Sequence, residues 1–162
     1  MTKMIERIVS GGQTGADRAA LDWAIAHRIS HGGWCPEGRL AEDGVISERY
    51  LLVELPGAGY RQRTKANVRD SDATLIITVS AILSGGSLET AKFAGSLRKP
   101  WLHLHQAMDW QAVLDNWVCL RQISILNIAG PRSSKEPAVG AFAFVVLDEM
   151  KRILSQKGRA SP

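Results

Sequence analysis

The chain has 162 residues, of which 45% are hydrophobic and 22% are charged, and its formal charge is 20 − 16 = +4. This length allows one domain with its own core, and the ordinary composition excludes a disordered or fibrous protein. No apolar run approaches the roughly 20 residues that cross a bilayer, and no signal peptide is evident before the first predicted strand. We therefore expect a single domain over residues 1–162, with frayed termini at residues 1–4 and 155–162.

The first predicted strand, residues 5–9, leads through a glycine-rich loop into a helix predicted over residues 16–29. Glycines let such a loop turn sharply, and the free N–H groups of the helix start attract negative charge. The loop is not a P-loop, because no Gly-Lys-Ser/Thr follows, and Gly-Gly-x-x-Gly replaces the full dinucleotide fingerprint. It is therefore either an anion site or a tight turn that Thr14 or Asp17 caps.

The next segment is poor in regular pattern. A very short second strand is predicted at residues 34–35, and Pro36 ends it. Residues 37–60 hold no helical or strand period for long, and a loop of this length in a compact domain is usually functional or partly disordered. Because charged and apolar residues alternate within it, we expect an ordered flap.

The second half of the chain alternates between helices and strands. The apolar run at residues 73–79 is typical of a strand that is covered on both faces of a parallel sheet. A second Gly-Gly loop, residues 84–87, follows this strand and leads into a helix. The other predicted elements are helices at residues 61–71, 88–97, 109–117 and 139–154, and strands at residues 101–104 and 123–128.

Five strands alternating with helices predict an α/β fold with a doubly wound, mainly parallel sheet and right-handed crossovers. Such sheets bind ligands beyond the carboxyl ends of their strands, at the switch point. Four segments follow predicted strands: the two Gly-Gly loops, residues 35–39, and residues 127–134. We therefore expect these segments to meet at one rim of the sheet.

The residues of this rim are suited to binding an oxyanion. Backbone N–H groups and hydroxyls can donate to it, and guanidinium groups match phosphate in a bidentate way. Because the basic residues are not gathered in a run, a small anionic ligand is favoured over nucleic acid. The predicted binding residues are Gly11, Gly12, Gln13, Thr14, Gly15, Asp17, Arg18, Cys35, Pro36, Glu37, Arg39, Arg63, Gly85, Gly86, Ser87, Thr90, Asn127 and Arg132.

Several candidate residues also have a purely structural interpretation. His103 and His105 alternate on one strand without further ligands at zinc spacing, so no metal site is predicted. Cys35 could touch a soft metal or a sulfur-bearing ligand, or it could be a plain buried thiol. Two cysteines form no disulfide framework, which favours the cytoplasm. Because no apolar run could cross a bilayer, no membrane partner is expected. Glu37 and Glu89 lie near the glycine loops without evident partners, so no catalytic residue is assigned.

Five motifs resemble the molybdenum carrier protein family. This family lies within a Rossmann-like superfamily that includes LOG-type nucleoside monophosphate phosphoribohydrolases, formerly described as lysine decarboxylases. The motifs are Gly-Gly-Gln-Thr-Gly-Ala-Asp at 11–17, Cys-Pro-Glu-Gly-Arg at 35–39, Tyr-Arg-Gln-Arg-Thr at 60–64, Asn-Val-Arg-Asp-Ser-Asp at 67–72 and Ala-Gly-Pro-Arg at 129–132. The resemblance implies a protein that binds molybdenum cofactor (molybdopterin), a phosphorylated pterin with a dithiolene-held molybdenum oxide. It also implies a molybdoenzyme as acceptor and a homo-oligomer, either a dimer or a tetramer.

One departure from the hydrolase motif weighs against catalysis. LOG-type hydrolases carry Pro-Gly-Gly-x-Gly-Thr-x-x-Glu with a catalytic Glu, and alignment on the second Gly-Gly pair places Lys92 there. Glu89 lies about one helical turn earlier. We therefore expect a carrier of molybdenum cofactor or a related phosphorylated pterin that performs no reaction. The alternatives are a LOG-type hydrolase, whose ligand would be a nucleotide phosphate, and a non-catalytic nucleotide sensor. Gly12→Asp and Arg132→Ala are each expected to weaken binding without disturbing the fold.

Overall fold

The computed structural model describes residues 3–160. Short strands and helices alternate along the chain, as the sequence predicts. The strands are β1 (Arg7–Val9), β2 (Ser30–Gly32), β3 (Trp34–Pro36), β4 (Leu40–Ala41), β5 (Gly44–Val45), β6 (Val53–Leu55), β7 (Ala73–Thr78), β8 (Trp101–His105) and β9 (Ile125–Ala129). The helices are α1 (Ala16–Ala26), α2 (Tyr60–Arg69), α3 (Gly85–Ser96), α4 (Trp110–Cys119) and α5 (Val139–Ala160).

The central sheet has five parallel strands in the order β2-β1-β9-β7-β8. The chain winds outward from β1 to β2 at one side and from β7 to β8 at the other, and β9 fills the gap between them. The winding direction therefore reverses around β9, which makes this the switch point of the sheet. The predicted α/β fold with a doubly wound five-strand sheet is confirmed.

Helices cover both faces of this sheet. α1, α4 and α5 enclose the main core on one face, where Trp23, Leu114 and Leu147 are buried. α2 and α3 pack together on the other face through Val68 and Phe93. Strand residues alternate between the two faces. The polar residues Thr74, Thr78 and Asn127 are buried on the face toward α2 and α3, so that face has a polar floor.

The segment between α1 and α2 differs most from the sequence prediction. Residues 34–35 were predicted as the second central strand, but Ser30–Gly32 pairs with β1 instead. α1 accordingly ends at Ala26 rather than at residue 29, because the chain must turn into β2. β3 pairs in parallel with β6 in a separate two-stranded sheet. The predicted flap is ordered: β4 and β5 form a hairpin, and Ile46, Tyr50 and Leu52 pack around Leu21.

Other element boundaries also shift. α3 begins at Gly85 rather than at residue 88, so the second Gly-Gly pair is the first helical turn and not a loop. α5 continues to Ala160, so the tail predicted to fray from residue 155 is helical. Lys157 contacts Asp115 of α4 at 3.0 Å and thereby ties the last turns to the domain. The predictions for residues 1, 2, 161 and 162 lie outside the described residues.

Arg39 organises the flap from within. Its guanidinium donates hydrogen bonds of 2.9 to 3.1 Å to four backbone carbonyl oxygens. Its own backbone has φ 54, a left-handed conformation at the turn before β4. The acceptors are the carbonyl groups of Ile46, Ser47, Tyr50 and Leu52.

Arg39→Lys should loosen the flap and leave the central sheet intact. A lysine ammonium cannot reach four carbonyl oxygens at once, so we expect a loss of about 2 kcal/mol in urea unfolding and faster amide exchange over residues 46–52. Arg98→Lys is the matched control, because Arg98 is exposed and also has φ 54. Equal stability and equal exchange in the two variants would contradict this role.

Candidate functional site

A cleft opens at the carboxyl edge of the sheet, between the start of α2, the start of α3 and the loop after β9. Its volume is about 580 Å³, within the range of roughly 300–1,000 Å³ that is typical of small-molecule sites. A narrow chamber of about 60 Å³ adjoins it. The cleft is lined by Gln13, Tyr60, Arg61, Arg63, Thr64, Ser84, Gly85, Gly86, Ser87, Glu89, Gly130, Pro131, Arg132 and Lys135. The chamber is lined by Gly11, Asp17, Arg63, Thr64, Asn67, Gly86, Thr90, Asn127, Ile128, Ala129 and Gly130.

Arg63 lies where the chamber meets the cleft. Its Nη1 donates to Asp17 Oδ2 at 3.2 Å, and the two side chains are only 12% and 5% exposed. A Cβ at position 11 would lie 1.5 Å from Arg63 Nη1, so only glycine leaves room for the guanidinium. The buried Nε of Arg63 has no hydrogen-bond partner within residues 3–160. This N–H group is therefore a buried donor that the described residues leave unsatisfied.

Asp17 supports this arginine and the first loop together. Burial raises the pKa of its carboxyl group, whereas Arg63, the Gln13 backbone N–H and Arg18 favour the charged form. The Gln13 N–H donates to Asp17 Oδ2 at 3.3 Å. Asp17 therefore holds the loop after β1 and the guanidinium in one arrangement.

The opposite wall of the cleft is the first turn of α3. No side chain within residues 3–160 caps this helix, and a Cβ at position 86 would meet no atom within 4 Å. Its first residues, Gly85–Ser87, line the cleft, and uncapped N–H groups at a helix start favour an anion. Lys135 adds a cation there, donating to Ser84 Oγ at 2.6 Å, and Arg132 lines the same side.

The hairpin of the flap fastens two loops of the site. Glu42 and Asp43 form its two-residue turn. The Glu42 carboxylate accepts hydrogen bonds from the Thr14 hydroxyl and from the hydroxyl and N–H of Ser134, the latter two at 2.5 and 3.1 Å. The hydroxyls of Ser134 and Thr14 lower the pKa of Glu42. Asp43 pairs with Arg18 at 2.9 Å.

Comparison with known proteins defines the family. Residues 8–151 match the circularly permutated YpsA SLOG family. The chain belongs to this family. A crystal structure from Syntrophus aciditrophicus SB, of a protein named "Putative molybdenum carrier protein", has 47% sequence identity and a TM-score of 0.86; the match covers 90% of this chain and 94% of that chain. The family resemblance deduced from the motifs is thereby confirmed. A search of the curated proteins finds no match.

This YpsA SLOG chain brings many of the predicted binding residues together. They come from the loop after β1, from α2, from the start of α3 and from β9 and the loop after it. The predicted residues that line the cleft or the chamber are Gly11, Gln13, Asp17, Arg63, Gly85, Gly86, Ser87, Thr90, Asn127 and Arg132.

Within residues 3–160, no helix has the length and apolar character of a membrane span.

The other predicted residues lie elsewhere. The segment 35–39 is absent from the rim because β3 belongs to the small side sheet. Cys35 is buried under the flap, where burial raises the pKa of its thiol, Pro36 is buried beside it, and Glu37 is exposed. Arg39 is occupied within the flap.

The first loop is also only partly in the cleft. Arg18 donates to the Gly12 carbonyl oxygen and pairs with Asp43, while Thr14 and Gly15 face the α5 side. Gly12 has φ +78, and a Cβ there would lie 2.4 Å from Leu52 Cδ1. Gly12→Asp therefore strains the backbone and crowds Leu52 of the flap, so a loss of binding in this variant would include a structural effect.

Several lining residues were not among the predicted binding residues. Tyr60, Thr64 and Asn67 lie on one face of α2, and the motifs at 60–64 and 67–72 were the signal for them. Lys135 follows the last motif by three residues, and no sequence signal marked it. His103 binds Thr78 Oγ1 at 2.6 Å through Nε2, away from both linings.

Arg63→Met should cost about 3 kcal/mol of unfolding free energy, because it leaves the buried Asp17 carboxyl group without its partner. Arg63→Met combined with Asp17→Asn should recover part of this loss, which urea unfolding of the double-mutant cycle would measure. Lys65→Met, at an exposed position of α2, is the control. A double variant no more stable than Arg63→Met would argue against the coupling.

Glu42→Gln should lower the melting temperature at pH 7, and the difference from the wild type should shrink as the pH falls below 4.5. A carboxyl group with a lowered folded-state pKa stabilises the fold above its ordinary value of 4.5 and loses that effect on acidification. Thermal unfolding from pH 7 to pH 3.5 measures the gap, with Glu48→Gln in the same flap as control. A gap that is constant with pH would exclude this role.

Proposed function

We propose that this chain is a carrier of molybdenum cofactor or of a related phosphorylated pterin, held in the cleft between α2, α3 and the loop after β9. The observation that carries the proposal is an uncapped helix start beside two cations, at the edge of a cleft of about 580 Å³. Such a site suits a phosphate attached to a larger ring system. The neighbour with 47% identity is named for carrying molybdenum, which supports this class of cargo.

The residues present fit the anionic parts of this cargo. The first N–H groups of α3 with Lys135 and Arg132 can hold a phosphate, and the unpartnered Nε of Arg63 can donate to an oxygen that reaches the chamber. Cys35 is buried outside the cleft and offers the metal no thiolate. The dithiolene of the bound cofactor would itself hold the molybdenum. The protein's part is to bind and shield.

A hydrolase is the second candidate, and Glu89 is the observation that favours it. This carboxylate lines the cleft and pairs with Arg61 at 3.2 Å. Lys92, at the position of the hydrolase glutamate, is exposed and outside the cleft lining. Release of free base from a nucleoside monophosphate, abolished by Glu89→Gln, would establish this function. Saturable nucleotide binding without turnover would indicate a sensor instead.

Native mass spectrometry with metal analysis tests the carrier proposal. Protein purified without oxygen from a host that makes the cofactor should contain molybdenum and a pterin mass in stoichiometric amounts. The same spectra report whether the protein is a homo-oligomer, and transfer to an apo-molybdoenzyme would test the acceptor. A nucleotide mass, or uptake of nucleotides but not of cofactor, would contradict the carrier proposal.

Gly86→Asp should weaken cofactor binding at least tenfold, because it adds a carboxylate to the open side of the α3 start. Gly86→Asn is the matched control: it has the same size without the charge and should lose much less affinity. Gly95→Asp places the same charge in open space near the other end of α3 and should leave binding unchanged. Arg132→Ala should weaken binding several-fold. Unchanged affinity in both Gly86→Asp and Arg132→Ala would remove this site.

A further inference from the structure

We propose that Tyr60 is the stacking residue of the cleft, and that the ligand lies with its planar ring at the mouth and its anionic end toward Arg63 and α3. This inference rests on the proposed function, because it assigns an orientation to a ligand that has a flat heterocycle and an anionic group.

The two tyrosines of the chain are in opposite situations. Tyr50 is 7% exposed, and its hydroxyl donates to Asp22 at 2.6 Å. Tyr60 lines the cleft, is 46% exposed, and its hydroxyl has no hydrogen-bond partner within residues 3–160. Flat rings of ligands stack on exposed aromatic side chains of this kind. Tyr60 is therefore not a residue of the hydrophobic core, and packing in the core does not explain its position.

The helical period of α2 gives the cleft a direction. Tyr60, Arg63, Thr64 and Asn67 are spaced three and four residues apart, so they share one face of the helix. Tyr60 lines only the cleft, Arg63 and Thr64 line the cleft and the chamber, and Asn67 lines the chamber but not the cleft. This wall therefore passes from an aromatic ring at the mouth, through a guanidinium, to a polar chamber.

The neighbouring cations support the same orientation. Arg63 Cζ lies over one face of the Tyr60 ring, 6.0 Å from its centre, so the positive charge is next to the ring and the opposite face is the one that a ligand would use. The Arg61 guanidinium is engaged by other residues of the protein, because it pairs with Glu89 at 3.2 Å and lies over the Phe93 ring at 5.4 Å. A ligand with a ring and an anionic group would meet both the ring and the charge in this order.

The α3 side of the cleft has open space at Gly86, where a Cβ would meet no atom within 4 Å. A flat ring can therefore lie between this position and Tyr60. Among the residues that line the cleft, Tyr60 is the one aromatic side chain. Loss of ring stacking should therefore be visible in a single variant.

Titration calorimetry with separate probes tests the proposal. Three probes are used. 6-Hydroxymethylpterin has the ring without a phosphate, GMP has both a ring and a phosphate, and inorganic phosphate has no ring. Tyr60→Leu should weaken binding of the pterin about tenfold or more, and should leave phosphate affinity within twofold. Tyr60→Phe should bind every probe like the wild type, because it keeps the ring. Trp101→Leu changes another exposed aromatic residue, outside the cleft lining, and should have no effect.

The outcomes separate this inference from the carrier proposal. If the wild type binds GMP but takes up no molybdenum cofactor, the carrier proposal fails, and a loss of GMP affinity in Tyr60→Leu still supports stacking. Equal loss in Tyr60→Phe and Tyr60→Leu would show a hydroxyl contact and overturn stacking. Unchanged ring binding in Tyr60→Leu, an equal loss of phosphate affinity, or no ring binding by the wild type would also overturn it.

Discussion

The buried ion pair between Asp17 and Arg63 joins the two sides of the cleft. Neither charge can be buried alone without a large desolvation cost, so the start of α1 and the middle of α2 must meet at a fixed distance. Gly11 permits the approach because it has no side chain in the way of the guanidinium. This contact also fixes the position of the buried Arg63 Nε, which has no hydrogen-bond partner within residues 3–160.

The cationic side chains around the site differ in whether the protein itself supplies a partner, and the net charge does not show this difference. Arg18 pairs with Asp43, and Arg61 pairs with Glu89. Arg39 donates to carbonyl oxygens of the flap. Lys135 and Arg132 lie on the side of the cleft where the N–H groups of α3 are uncapped. A ligand anion would therefore meet a small part of the positive charge of the chain, placed beside a helix dipole.

The hairpin of the flap contacts two loops of the site from outside the cleft. Its turn residue Glu42 contacts the loop after β1 through Thr14 and the loop after β9 through Ser134. Arg132 Nε is 4.0 Å from Glu42. Glu42 thus contacts one of the arginines that line the cleft, although no residue of the β4–β5 hairpin lines the cleft itself. In this family member, the cleft is lined by loops and by the starts of α2 and α3 rather than by strands of the sheet.

Much of the fold was determined by the sequence itself, because helical and strand periods are local. The apolar run of β7, the glycine loops after β1 and β7, and the shared face of Tyr60, Arg63 and Asn67 all depend on neighbours within a few residues. Only the tertiary structure decided which strands pair. Residues 30–32 and 34–36 both form three-residue strands, but only one strand can pair with the free edge of β1. Residues 30–32 take that position. Residues 34–36 pair with β6 instead, and Cys35 and Arg39 therefore lie away from the rim. The partners of Asp17, Arg39 and Glu42 are likewise distant along the chain, and only packing brings them within hydrogen-bond distance.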